Sequence, residues 1–141
     1  KRSLHDSTID SSTFGVWYFG ILPPDDERVV NTMKAIENKL SRPSGGIARY
    51  MDDKYMGHMN SWVICTLWVA QWHIAIGNLD RALELIIWCA DNSHPTTGLM
   101  SEQVAKDGSL KSVLPLMWSH SSFVLAVYEY LKAISENYCK I

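Results

Sequence analysis

The sequence carries no excess of either charge. Thirteen Lys and Arg face fifteen Asp and Glu, a formal net charge of −2. There is therefore no basic field for nucleic acid and no polybasic stretch for an anionic membrane surface. A run of about 20 apolar residues, the length needed to cross a bilayer, is also missing. The longest apolar stretch, 61–76, falls short of it and contains Gln71 and His73. Cysteine is scarce. Cys65, Cys89 and Cys139 show no metal-ligand spacing. Their odd number argues against a disulfide framework and for a reducing compartment, so a cytoplasmic location is expected. The five histidines (His5, His58, His73, His94 and His120) form no paired motif such as His-Glu-x-x-His. Neither a metal site nor a cofactor is expected from them. No signal peptide is visible and the first residue is Lys1, so an N-terminal part is expected to be absent.

What is present is an ordinary globular composition with one outlier. The 141 residues suit one domain, and 47% hydrophobic with 20% charged residues excludes a disordered or fibrous chain. Tryptophan stands out, with six: Trp17, Trp62, Trp68, Trp72, Trp88 and Trp118. Indoles bury large areas in cores. An indole face also stacks on the apolar face of a pyranose, so each Trp is open to both readings.

The pattern along the chain is helices and loops, with no convincing alternating strand. Pro23-Pro24 precedes a helix over 25–40, capped by Asp25 or Asp26, with Val29, Met33, Ile36 and Leu40 at helical spacing. Breaker residues over 41–46 end it. Residues 61–76 are apolar nearly all round and read as a buried helix. Gly77 ends it and Asn78 caps the next helix, 78–91, with Leu79, Leu83, Ile86 and Ala90 as its stripe. The short gap makes these two an antiparallel hairpin, one inner and one outer. Residues 92–117 read as a long loop of the kind that is often functional. Ser119 then caps a last helix with Phe123, Val127, Leu131 and Ile134 on one face. A short helix is expected near 12–20.

Three stretches combine polar and aromatic residues among these helices. They are Gly46-Ile47-Ala48-Arg49-Tyr50-Met51-Asp52-Asp53-Lys54-Tyr55, Gly98-Leu99-Met100-Ser101-Glu102-Gln103, and Ser112-Val113-Leu114-Pro115-Leu116-Met117-Trp118-Ser119-His120. A carboxylate beside aromatics and an arginine suits a sugar-hydrolysing site. Glycoside hydrolysis commonly uses one carboxylic acid on the leaving oxygen and one carboxylate toward water or the sugar, and Arg offers rigid donors to hydroxyls. On residue type alone, a solvated loop glutamate is the favoured reading of Glu102, a salt bridge to Asp52 or Asp53 is an equal reading of Arg49, and a core anchor at a helix start is the alternative for Trp118.

The ordered set is more specific. Gly45-Gly46-Ile47-Ala48-Arg49-Tyr50, Asp53-Lys54-Tyr55 and Asn60-Ser61-Trp62, then Ser101-Glu102-Gln103, then Pro115-Leu116-Met117-Trp118-Ser119-His120-Ser121 resemble glycoside hydrolase family 15. That family holds glucoamylases, glucodextranases and some trehalases, and its prokaryotic glucoamylase branch is the nearest likeness. Gly20-Ile21-Leu22-Pro23-Pro24-Asp25-Asp26 and Thr66-Leu67-Trp68 agree with it, so the likeness runs from about residue 9 to about residue 130.

The resemblance implies an all-α fold: helical hairpins, about five helices in all, forming part of a six-hairpin α/α barrel, with residues 1–141 as the C-terminal portion of a catalytic domain. It implies Glu102 as general base, Arg49 as substrate-binding arginine and Asp53 as an acid on the leaving-group side. Trp118 becomes a pocket aromatic, and Ser112 a serine bonded to the base. The implied activity is that of an inverting exo-acting α-glucosidase of the glucan 1,4-α-glucosidase type, releasing β-glucose from α-glucosides or oligosaccharides. Trehalase or glucodextranase activity is the alternative within the family, and a non-catalytic regulatory or interaction module the alternative outside it. Nothing here matches the family's general acid, which lies on an earlier helix, so the rest of the barrel or a second copy is an expected partner. The helix after Trp118 and helix 61–76 are expected to be inner and to begin at one end, with Trp68 and Trp72 remaining in the core.

Overall fold

The computed structural model describes residues 5–138, with five α-helices in that range. Cys139 lies outside the described residues. Asp10 caps a 3-10 turn, Ser11–Phe14, by accepting the Ser12 N–H, and the turn runs into α1, Gly15–Tyr18. Pro23 and Pro24 cannot continue a helix, and α2 (Glu27–Leu40) starts after them. Asp26 is its cap, accepting the Arg28 N–H at 2.9 Å. The Arg28 side chain closes on the same carboxylate, and these bonds hold the Asp26 carboxyl down at about 2. Val29, Met33, Ile36 and Leu40 are all buried, as their spacing requires.

Helix α3 (Val63–Ala75) is the axis of the packing. All its residues from Val63 to Leu67 and from Val69 to His73 are buried. Each such Val, Ile, Leu or Trp removes apolar surface worth about 1.5–3 kcal/mol from water. Its polar residues are paired outward. The Trp72 indole donates to the Pro24 carbonyl at 3.0 Å, and Gln71 donates to Glu129 at 2.9 Å. His73 lies 2.9 Å from Glu37, which also accepts from Arg81. Burial pushes the Glu37 carboxyl up, but the bonds from His73 and Arg81 outweigh it and leave the group lowered.

Gly77, at φ 79, turns the chain into α4, Leu79–Asp91. Two expectations fail here. The Asn78 side chain makes no cap bond and faces the His73 ring instead. The buried face is Ala82, Leu85, Ile86 and Cys89, while Leu83 and Ala90 are exposed. The helix is rolled to bring Cys89 and Leu85 onto α3, and Leu83 turns out to solvent. Burial of Cys65 and Cys89 pushes both thiols up, as befits inert core residues.

The last helix, α5 (Met117–Tyr138), begins three residues earlier than a Ser119 cap would place it. Ser119 does not cap it; its hydroxyl donates to the Ser101 carbonyl at 2.8 Å. Ala126 is buried at 0% and Phe123 and Val127 pack on the core, but Leu131 is 60% exposed and leaves the expected stripe. Helix α5 packs on both α3 and α4.

Strands are present, contrary to expectation. Four two-residue strands, β1 (Ile47–Ala48), β2 (Ser61–Trp62), β3 (Gln103–Val104) and β4 (Leu110–Lys111), form one antiparallel sheet in the order β1-β2-β3-β4. Two residues cannot show a period of two, so the sequence gives no sign of them. The first half of the sheet is possible because Gly45 and Gly46 lie flat against Trp88. A Cβ at either would come within 2.3–2.5 Å of the indole, and both have positive φ, 83 and 71. The expected loop 92–117 thus holds β3 and β4, joined by a tight turn in which Asp107 accepts from Ser109.

Candidate active site

The sheet and the starts of α3 and α5 meet at one end of the molecule. Trp62 of β2 runs directly into α3, whose first N–H, from Val63, donates to the Glu102 carbonyl at 3.2 Å. Helix α5 is pinned to the same segment. Leu116 N–H reaches the Met100 carbonyl at 2.9 Å, Ser119 reaches Ser101, and His120 Nε2 accepts the Met100 N–H at 3.0 Å. The two helices therefore begin on either side of residues 100–102, as the inner helices of a barrel must.

Asp53 organises the first half of the site and is only 1% exposed. Its carboxylate accepts from Arg49 Nε at 3.0 Å and Nη2 at 2.9 Å, from the Tyr55 N–H at 3.0 Å and from the Trp62 indole at 3.1 Å. Four donors match the four lone-pair directions of a carboxylate, so burial leaves nothing unpaired. The Arg49 guanidinium is then fixed over the Trp62 ring at 4.2 Å, with the Tyr50 and Tyr55 rings at 4.7 and 5.6 Å. Burial alone would lower the Arg49 pKa. The bidentate Asp53 outweighs it and the net direction is upward. This is a rigid cation in an aromatic frame, a third of its side chain open to solvent.

Glu102 organises the second half. Its backbone is clamped from both sides, N–H to the Val113 carbonyl at 3.0 Å and carbonyl to Val63. Its half-buried side chain turns Oε2 toward two donors. The Ser112 hydroxyl donates to it, and Gln103 Nε2 lies 3.5 Å away. Oε1 has no donor among the described residues. Ser112 aims its hydroxyl from a left-handed backbone, φ 65, a conformation that costs a non-glycine residue about 1–3 kcal/mol and recurs at functional sites.

Tyr55 joins the two halves. Its hydroxyl is 3.4 Å from Ser112 Oγ, while its ring flanks Arg49 and Trp62. Arg49, Asp53, Ser112 and Glu102 are thus brought into one connected group. Trp118 sits at the same end, on the first turn of α5, but is 53% exposed and leans on Trp68 at 5.9 Å. Trp68 is itself only half-buried and is stacked at 4.1 Å on Phe14. It supports Trp118 and so does not stay out of the site region as expected; Trp72 does remain in the core. Sequence reasoning assigned no role to Tyr55, Trp62 or Asn60. Their one signal was the crowding of aromatic and polar residues between Arg49 and α3. Among the described residues no group of His, Cys, Asp and Glu can hold a metal ion. An apolar cavity of about 480 Å³ lies elsewhere, between the segment Thr8–Trp17 and α2.

No family model matches the chain. The chain is 35% identical over 144 residues to an uncharacterised glycosyl hydrolase of Methanocaldococcus jannaschii, covering 92% of this chain and 23% of that protein. It is 29% identical to a trehalase of Mycobacterium tuberculosis (93% and 20% covered) and 26% identical to a glucoamylase of a Clostridium species (83% and 18%). A solved wild-type glycosidase superposes with a TM-score of 0.78 at 26% identity, over 89% of this chain and 37% of its own. A bacterial glucoamylase complexed with acarbose superposes with a TM-score of 0.80 at 24% identity, over 89% and 21%, and speaks for the fold alone. The chain spans about a fifth to a third of the length of the curated relatives it matches. The class is therefore that of the glucoamylase-type α/α-barrel glycosidases, with a small antiparallel sheet added at the site end. Within that class its relatives are glycoside hydrolases, trehalases and a glucoamylase among them, in keeping with the family its motifs resemble.

Proposed function

We propose that the chain carries the base side of the active site of an inverting exo-acting α-glucosidase, with Glu102 as general base. The observation that carries this reading is the Glu102 carboxylate itself. It is gripped on one oxygen, bare on the other, and linked through Ser112 and Tyr55 to a fixed arginine in an aromatic frame. In the inverting reaction a water attacks the anomeric carbon as Glu102 takes one of its protons. The glycosidic bond breaks on the opposite face, and its oxygen leaves with a proton from a general acid. Asp53 does not take that acid role here, because both its oxygens are engaged by Arg49, Tyr55 and Trp62. Its part is to hold Arg49 toward sugar hydroxyls. Trp118 offers an open aromatic face to the sugar.

Trehalase is the second reading, favoured by the trehalases of Mycobacterium tuberculosis and Sulfolobus acidocaldarius among the relatives. The whole protein that carries this chain, offered maltose, isomaltose and trehalose in turn, separates the two. Proton NMR of the first product formed reads the stereochemistry. β-Glucose from maltose supports the first reading, and turnover of trehalose alone supports the second. With maltose or isomaltose, α-glucose newly formed from the non-reducing unit overturns the inverting mechanism, whereas trehalose itself gives one β- and one α-glucose on inversion; turnover of none of the three overturns both.

A further inference from the structure

Beside Glu102 lies a buried amide pair that the reading above does not use. Asn60, 7% exposed, donates from Nδ2 to Gln103 Oε1 at 2.9 Å, and Gln103 is completely buried. The same Nδ2 donates to the Met56 carbonyl at 3.1 Å. The orientation of both amides follows from that one contact. A backbone carbonyl can only accept, so Asn60 must present its NH₂ group there. Gln103 must then turn its oxygen to Asn60, which leaves its Nε2 facing Glu102. The loop around Asn60 is shaped for this contact. Met56 and Met59 have positive φ, 56 and 51, and Gly57, at φ 148, leaves room where a Cβ would come within 2.8 Å of the Asn60 amide.

We propose that Asn60 is a positioning residue for the base. It fixes the Gln103 amide so that an N–H, and never a C=O, faces Glu102. With Ser112 and Gln103 both on Oε2, the bare Oε1 is the atom that receives the proton from water. The proposal rests on the reading of Glu102 as general base.

The substitution Asn60→Asp tests it, because it keeps the shape and removes the NH₂ group. Gln103 then has to turn its own NH₂ toward the new carboxylate and present its oxygen to Glu102. A lost donor and a gained acceptor disfavour the ionised base. The acid limb of kcat/KM against pH, measured in the whole protein on the sugar it turns over, is expected to move up by about half to one pH unit, with KM within about twofold. In a Gln103→Met background the same substitution is expected to add no further shift, since the amide it acts through is gone. A limb that stays in place for Asn60→Asp, while Glu102→Gln abolishes turnover, overturns the relay and leaves the base assignment standing. Near-parental turnover by Glu102→Gln removes both. If Asn60→Asp yields no folded protein by circular dichroism, Asn60→Ser is read in the same way, with an upward shift expected. If neither folds, Asn60 is a structural residue and the proposal falls.

Discussion

Around the C-terminal half of α3 the packing is apolar and the backbone regular, whereas around its N-terminus the chain buries polar groups and takes up strained conformations. Leu67, Val69, Ala70 and Trp72 lie in one cluster with Met33, Ile36, Leu85 and Ile86, and Glu37, His73 and Arg81 form the ion cluster at that end. At the other end the buried residues include Asp53, Asn60, Ser61, Ser101, Gln103 and Ser119. All four non-glycine residues with positive φ among the described residues (Asp52, Met56, Met59 and Ser112) are there as well. Apolar packing costs nothing in specific partners and tolerates small adjustments. A buried polar network demands a partner for every atom, and each strained residue costs about 1–3 kcal/mol. Stability made in the helical body is in this way expended at the site end, which fixes side chains for chemistry.

Substitutions at the two ends should therefore fail differently. Trp72→Ala, in the body, removes a fully packed indole and its bond to Pro24. It is expected to cost about 3–5 kcal/mol in denaturant unfolding, with the surviving folded enzyme keeping the parental pH profile. A shifted profile would erase the distinction between body and site. Asp53→Asn, at the site end, replaces an acceptor of Arg49 and Trp62 with a donor. Turnover on the protein's sugar substrate should drop about 10²-fold in kcat/KM, roughly 2.7 kcal/mol, because a misdirected Arg49 loses its alignment. An unchanged kcat/KM would make Asp53 a purely structural residue. Glu37→Gln, back in the body, should cost about 1–2 kcal/mol at neutral pH by weakening the bonds to His73 and Arg81. Because the folded-state value of Glu37 lies below its ordinary one, its contribution is present above the ordinary value of 4.5 and lost as pH falls through the lowered one. Thermal melts of the parent and the variant should thus converge on acidification. Curves that diverge instead would mean that the carboxylate is not held by those partners.

The same division explains what the sequence makes legible. The stripe of α2, the all-round burial of α3, and the turn at Gly77 follow from short-range periodicity, and all three are present. In α4 and α5 the registers differ from the simplest apolar stripe. Both helices carry apolar residues on more than one face, and which face is buried depends on neighbours remote in sequence. The four strands are invisible because each is two residues long. Glu102, Arg49, Asp53 and Ser112 stand out only through an ordered resemblance. Tyr55, which reaches Ser112 across 57 positions, and Asn60, which reaches Gln103 across 43, have no local signature. Long-range hydrogen bonds leave no period in a sequence.

The proposed chemistry centres on Glu102 and the oxygen that has no donor among the described residues. The measurement is single-turnover kinetics of Glu102→Gln in the whole protein, on the sugar that the parent cleaves, alongside thermal melts of both. The substitution keeps the side chain's shape and its place beside Ser112 but removes the proton acceptor. The predicted result is a rate lower by about 10²–10⁴-fold with an almost unchanged melting temperature. A rate within a few fold of the parent would contradict the assignment and make Glu102 an ordinary half-buried glutamate at the edge of a small sheet.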